Sequence, residues 1–60
     1  MKLRIVFVNG RELVFHKFLE STYKEFTRNV NDRVSFINFN GDSPAGLQVS
    51  QIAFWEAEQE

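Results

Sequence analysis

His16 is the one histidine of this 60-residue chain, and the sequence contains no cysteine. Imidazole is the only side chain whose unperturbed titration falls near neutral pH, so His16 is the first place to look for acid–base work. Its surroundings offer little to work with. Nucleophilic catalysis without cysteine needs an activated Ser or Thr, and neither a G-x-S-x-G elbow nor a glycine-rich phosphate loop occurs. No Cys/His cluster has zinc-ligand spacing. Asp32 and Asp42 stand beside Asn31 and Gly41, where a short acid favours turns. A chain this small also has little room for an enclosed pocket. The sequence therefore assigns no catalytic residue, metal ligand or cofactor, and it reads as that of a non-enzyme.

Charge is distributed more tellingly. The net charge is −1, yet all seven basic residues, Lys2, Arg4, Arg11, Lys17, Lys24, Arg28 and Arg33, lie in the first 33 positions. Residues 34–60 carry Asp42, Glu56, Glu58 and Glu60 and no Lys or Arg. Three arrangements suit this asymmetry. The acidic end folds back beside the basic segment, or the two poles meet across a subunit or partner interface. In the third, Lys2, Arg4, His16 and Lys17 form an anion site for a nucleotide or nucleic acid. A pI near 5.7 weighs against a dedicated nucleic-acid binder, which carries a basic excess.

Residues 2–18 must position most of these groups. Two apolar-alternating runs meet at Val8-Asn9-Gly10. A two-residue Asn-Gly loop would set Glu12 opposite Phe7 and His16 opposite Leu3, mixing both faces. A three-residue loop with Gly10 left-handed pairs Leu3 with Phe15, Ile5 with Leu13 and Phe7 with Arg11. One face is then Leu3, Ile5, Phe7, Leu13 and Phe15; the other is Lys2, Arg4, Val6, Glu12, Val14 and His16. A one-residue slip turns every side chain over, so the segregating register is preferred.

Downstream, Leu19, Tyr23, Phe26 and Val30 fall on one helical stripe, with Thr22 and Glu25 as a capping box or Ser21 as the cap. Arg33–Phe39 returns to strand chemistry, with Val34, Phe36 and Asn38 on one side and Ile37 and Phe39 on the other. Residues 40–46 are dense in turn formers. Leu47 and Val49 are out of phase with Ile52 and Phe54, which predicts a bulge or break at Ser50-Gln51. Residues 57–60 read as a frayed acidic end.

These elements make one α+β domain over residues 1–60, ordered ββαββ, with one helix on a four-stranded, mostly antiparallel sheet. The alternating Leu3, Ile5, Gly10, Leu13 and Phe15 resemble the opening hairpin of ubiquitin-like β-grasp proteins. That likeness implies a β-grasp-like fold; the chain's last residues, Ala57-Glu58-Gln59-Glu60, lack the Gly-Gly tail that conjugation in that family requires. In size and style the chain also resembles small accessory proteins of phages and prophages. A small SH3-like or Sm-like barrel is the alternative, suggested by a kink at Ser50-Gln51 before a closing strand.

By phase, Phe7, Phe15, Phe26, Phe36 and Phe54 belong to the core, while Trp55, out of step with Ile52 and Phe54, falls on the outer face. Phe18 and Phe39 are candidates for partial exposure. The candidate binding residues are thus Lys2, Arg4, Val6, Val14, His16 and Trp55, an apolar centre with a charged rim. The function expected is a self-associating protein-interaction module, most simply a homodimer, that acts on a partner or host protein. Ligand or nucleic-acid binding on the basic hairpin face is the alternative. No apolar run reaches the roughly 18 residues of a membrane span. Met1-Lys2 leads directly into a strand, so a cytoplasmic protein is expected.

Overall fold

The hairpin forms in the register that segregates the faces. In the computed structural model, which describes residues 1–40 and 45–60, β1 (Lys2–Phe7) pairs antiparallel with β2 (Glu12–Phe15), Leu3 opposite Phe15 and Ile5 opposite Leu13. Gly10 has φ +89°, its N–H donates to the Phe7 carbonyl (2.9 Å), and the Phe7 N–H donates to the Arg11 carbonyl (2.8 Å). Leu3 and Ile5 are fully buried, with Phe7, Leu13 and Phe15 packed against them.

Helix α1 (Glu20–Asn31) starts earlier than the capping-box pattern predicts. Leu19 occupies the N-cap with extended backbone and no side-chain cap, so Thr22 and Ser21 lie inside the helix. A residue at the cap has left the helical stripe, and Leu19 is 67% exposed. The rest of the stripe holds: Phe26 is buried, Tyr23 and Val30 half-buried. At the other end the Arg33 N–H donates to the Val30 carbonyl and the Val34 N–H to the Asn29 carbonyl, both 3.1 Å. With Arg33 at φ +57°, this is a Schellman ending in which arginine stands where glycine is usual.

The single four-stranded sheet is corrected. The described residues form five strands in two antiparallel sheets, ordered β2-β1-β5 and β3-β4. Strand β3 (Phe36–Phe39) pairs with β4 (Ala45–Gln48), a 3₁₀ turn follows over Val49–Gln51, and β5 (Ile52–Glu58) returns beside β1. The break expected at Ser50-Gln51 is that turn, which ends one sheet and lets the chain enter the other. The barrel alternative is likewise corrected, since the two sheets do not join into a closed barrel. Ala45 and Gly46 belong to β4 rather than to the loop; the turn reading of Asp42 lies outside the described residues.

The core sits between the sheets and the helix. Phe26 meets Trp55 edge to face (5.4 Å between centroids) and Phe39 at 6.0 Å; Phe39 in turn meets Phe15 at 5.0 Å and Phe18 at 5.7 Å. The phase of β3 is therefore opposite to the expected one. Ile37 and Phe39 are buried, while Phe36 is 50% exposed. Its ring lies over Gly46, where an added Cβ would come within 2.7 Å of it. Glycine here admits a ring that covers the bare backbone of the neighbouring strand.

Candidate interaction surface

The outer face of the β2-β1-β5 sheet gathers five of the six predicted site residues. Side chains alternate across a strand, so Lys2, Arg4 and Val6 of β1 share this face with Val14 of β2, and His16 follows at its end. Trp55 does not join them, which corrects its placement. It pairs with Ile5, packs against the core, and its Nε1–H donates to the Tyr23 hydroxyl at 3.5 Å.

The cause is a bulge. Val6 pairs with Phe54 and Phe7 with Ile52, so Ala53 is an extra residue on β5. Past it the alternation reverses, sending Phe54 outward and Trp55 inward. Phe54, 45% exposed beside Val6, is the outer-face residue that counting by phase placed in the core. A signal was present: Phe54, Glu56 and Glu58 share one face at a spacing of two, and the two acids mark that face as the wet one.

The charges on this face compensate one another. Arg4, on the central strand, reaches Glu12 on one side (Nε to Oε2, 2.9 Å) and Glu56 on the other (3.1 Å). Its guanidinium also sits 5.7 Å from the centroid of Phe54, at cation–π distance. Lys2 faces Glu58 at 3.7 Å, and His16 Nδ1 lies 3.0 Å from Glu60 Oε2. The acidic end thus folds back along the basic strand, the first of the three arrangements. Such exposed pairs contribute little individually, from nothing to about 1 kcal/mol. Their geometric effect is larger, because Arg4 holds its neighbours in place from both sides.

The last residues are tied rather than frayed. Ala57 and Glu58 are in β5, and Gln59 Nε2–H donates to Glu20 at 3.3 Å. Glu60 accepts the Lys17 N–H on Oε1. That hydrogen bond, then the one with His16, holds the Glu60 carboxyl below its ordinary pKa of 4.5.

The apolar part of this face is Val6 beside Phe54, with Val14 of β2, 40% exposed, opposite Arg4. No described element covers it. At its β2 end the coverage is incomplete on both sides of the sheet, since Leu13 and Phe15 are only half-buried beneath. Among the described residues no group of three His, Cys, Asp or Glu side chains could hold a metal ion, and no helix is long and apolar enough to cross a membrane. No family model matches the chain, and comparison with curated proteins and with solved structures finds no match.

Proposed function

We propose that this chain is a small, non-catalytic protein-interaction module that associates with a second copy of itself at the β2 side of its three-stranded sheet. One observation carries the reading: Val14 is exposed on the outer face while Leu13 and Phe15, on the inner face of the same short strand, are only half-covered. An edge strand covered only in part on both faces offers a surface that a partner subunit can complete. A domain of this size buries only about 60% of its unfolded surface and has no disulfide, so association would add stability that grows with concentration. Twofold pairing is the commonest symmetry for such an assembly.

The polar side chains of the outer face are engaged with one another. His16 is exposed and engaged with Glu60, and the remaining outer carboxylates face Lys2 and Arg4. The anion-site alternative loses support for the same reason, since Lys2, Arg4 and His16 each already face a carboxylate. In this reading the hairpin–helix opening, which resembles that of β-grasp proteins, is the scaffold. The likeness to phage accessory proteins suits a module that works by contact.

Sedimentation at about tens of micromolar tests the proposal. A dimer mass that falls toward the monomer on dilution, and that Val14→Lys abolishes while the fold persists, is expected. A monomer at every concentration refutes self-association.

A further inference from the structure

The geometry points to a specific mode of association: two copies join edge to edge, β2 against β2, in antiparallel register with Val14 opposite Val14 of the second copy. The inference rests on the proposal that the chain self-associates, and adds how.

The backbone supplies the first argument. The Phe7 N–H bonds to the Arg11 carbonyl while the Phe7 carbonyl accepts the Gly10 N–H, so Phe7 and Arg11 close the ladder as a bulged hydrogen-bonded pair. In an antiparallel ladder such pairs alternate with non-bonded ones. Ile5–Leu13 and Leu3–Phe15 are therefore bonded pairs, and Val6–Glu12 and Arg4–Val14 are not. The N–H and C=O groups of Glu12 and Val14 consequently point away from β1. Since β2 ends its sheet, they point to an edge on which no described strand pairs. No proline or register shift blunts this edge, whereas the opposite edge, β5, is bulged at Ala53 and flanked by Glu56 and Glu58.

Side-chain complementarity selects both the occupant and the register. With Val14 on the twofold axis, Leu13 lies opposite Phe15 of the second copy on the inner face, and each completes the other's coverage. On the outer face Val14 meets its own counterpart, and Glu12 lies opposite His16 of the second copy. Moving the axis to Leu13 would instead set Glu12 against Val14 and Phe15 against Arg11. The first register matches apolar with apolar and polar with polar. It produces a six-stranded sheet whose two outer faces, each with its Val6–Phe54 strip, lie side by side.

Amide hydrogen exchange on the native chain reads the mode directly. On raising the concentration from about 10 μM to about 1 mM, exchange at the Glu12 and Val14 amides should slow by roughly tenfold or more. The Phe54→Ser variant should remain dimeric by sedimentation. Val14→Pro removes an outward N–H without touching the β1 ladder, and should be a folded monomer. If sedimentation shows a dimer but Glu12 and Val14 exchange independently of concentration, the edge pairing is overturned and self-association stands by another surface. Edge pairing is overturned equally if Phe54→Ser abolishes the dimer or a folded Val14→Pro keeps it. If Val14→Pro does not fold, the exchange measurement on the native chain decides. A native chain that stays monomeric refutes both.

Discussion

Gly10 and Arg33 meet the same backbone demand with opposite residue choices. Both have positive φ, +89° and +57°, in the region where a Cβ crowds the neighbouring carbonyl. Around Gly10 nothing lies within 4 Å of where a Cβ would stand, so a substitution there costs conformation alone and no clash. Gly10→Val is expected to destabilise by at least about 1 kcal/mol, because a β-branched residue is an outlier at such φ. Urea denaturation checks it, and a neutral result would mean the turn can change type. Arg33 is the converse. Its exposed side chain stands at the left-handed position of the helix ending, so Arg33→Gly should stabilise by roughly 0.5–1 kcal/mol while keeping both terminal hydrogen bonds. A lower melting temperature for that variant would show that the arginine side chain contributes more than its backbone strain costs.

Among the elements, the hairpin is the part most legible in the sequence. Asn9-Gly10 and the alternation of Leu3, Ile5, Leu13 and Phe15 constrain one register from two independent directions. The strands of the second half carry apolar residues on both faces, which defeats counting by twos unless a polar residue marks the wet side. Asn38 does so for β3, placing Phe36 outside; Glu56 and Glu58 do so for β5, placing Phe54 outside and Trp55 within. The reversal at Ala53 has no sequence mark of its own, since a bulge is imposed by the partner strand. Helix α1 is legible as a stripe but not at its start, because the chain is fixed there by Lys17 and Leu19 geometry rather than by a capping side chain. Phe26 is where that stripe joins the two sheets, touching Trp55 of β5 and Phe39 of β3. Phe26→Ala should therefore cost roughly 3–5 kcal/mol, a large share of the 5–15 kcal/mol that holds a typical domain. Melting within a degree or two of the parent would place the helix elsewhere.

For the molecule as a whole, the connection between β2 and the helix is held by both distant ends of the chain. Met1 exchanges hydrogen bonds with Phe18, its amino group donating to the Phe18 carbonyl at 3.1 Å and its carbonyl accepting the Phe18 N–H at 2.6 Å. Glu60 secures the preceding residues, taking the N–H of Lys17, which itself has φ +55°. The tie crosses the end of the three-stranded sheet and keeps the strained Lys17 conformation in place. Among the described residues it is also the one contact whose strength is set by pH through a shifted group. The Lys17 N–H, then His16, holds the Glu60 carboxyl below its ordinary 4.5. A carboxyl whose pKa is lower folded than unfolded stabilises the fold above the unfolded value, and that contribution disappears as pH falls through the folded one. Glu60→Gln keeps an oxygen to accept the Lys17 N–H and removes only the charge. The native chain should therefore be more stable than Glu60→Gln near neutral pH. The gap between their urea midpoints should close as pH drops below 4.5, the two chains becoming alike once Glu60 is protonated. Because the carboxylate is at the surface, added salt should narrow the gap at neutral pH by weakening the His16 attraction. A gap that stays constant down to about pH 3 would mean the charge of Glu60 has no part in holding the β2–α1 connection.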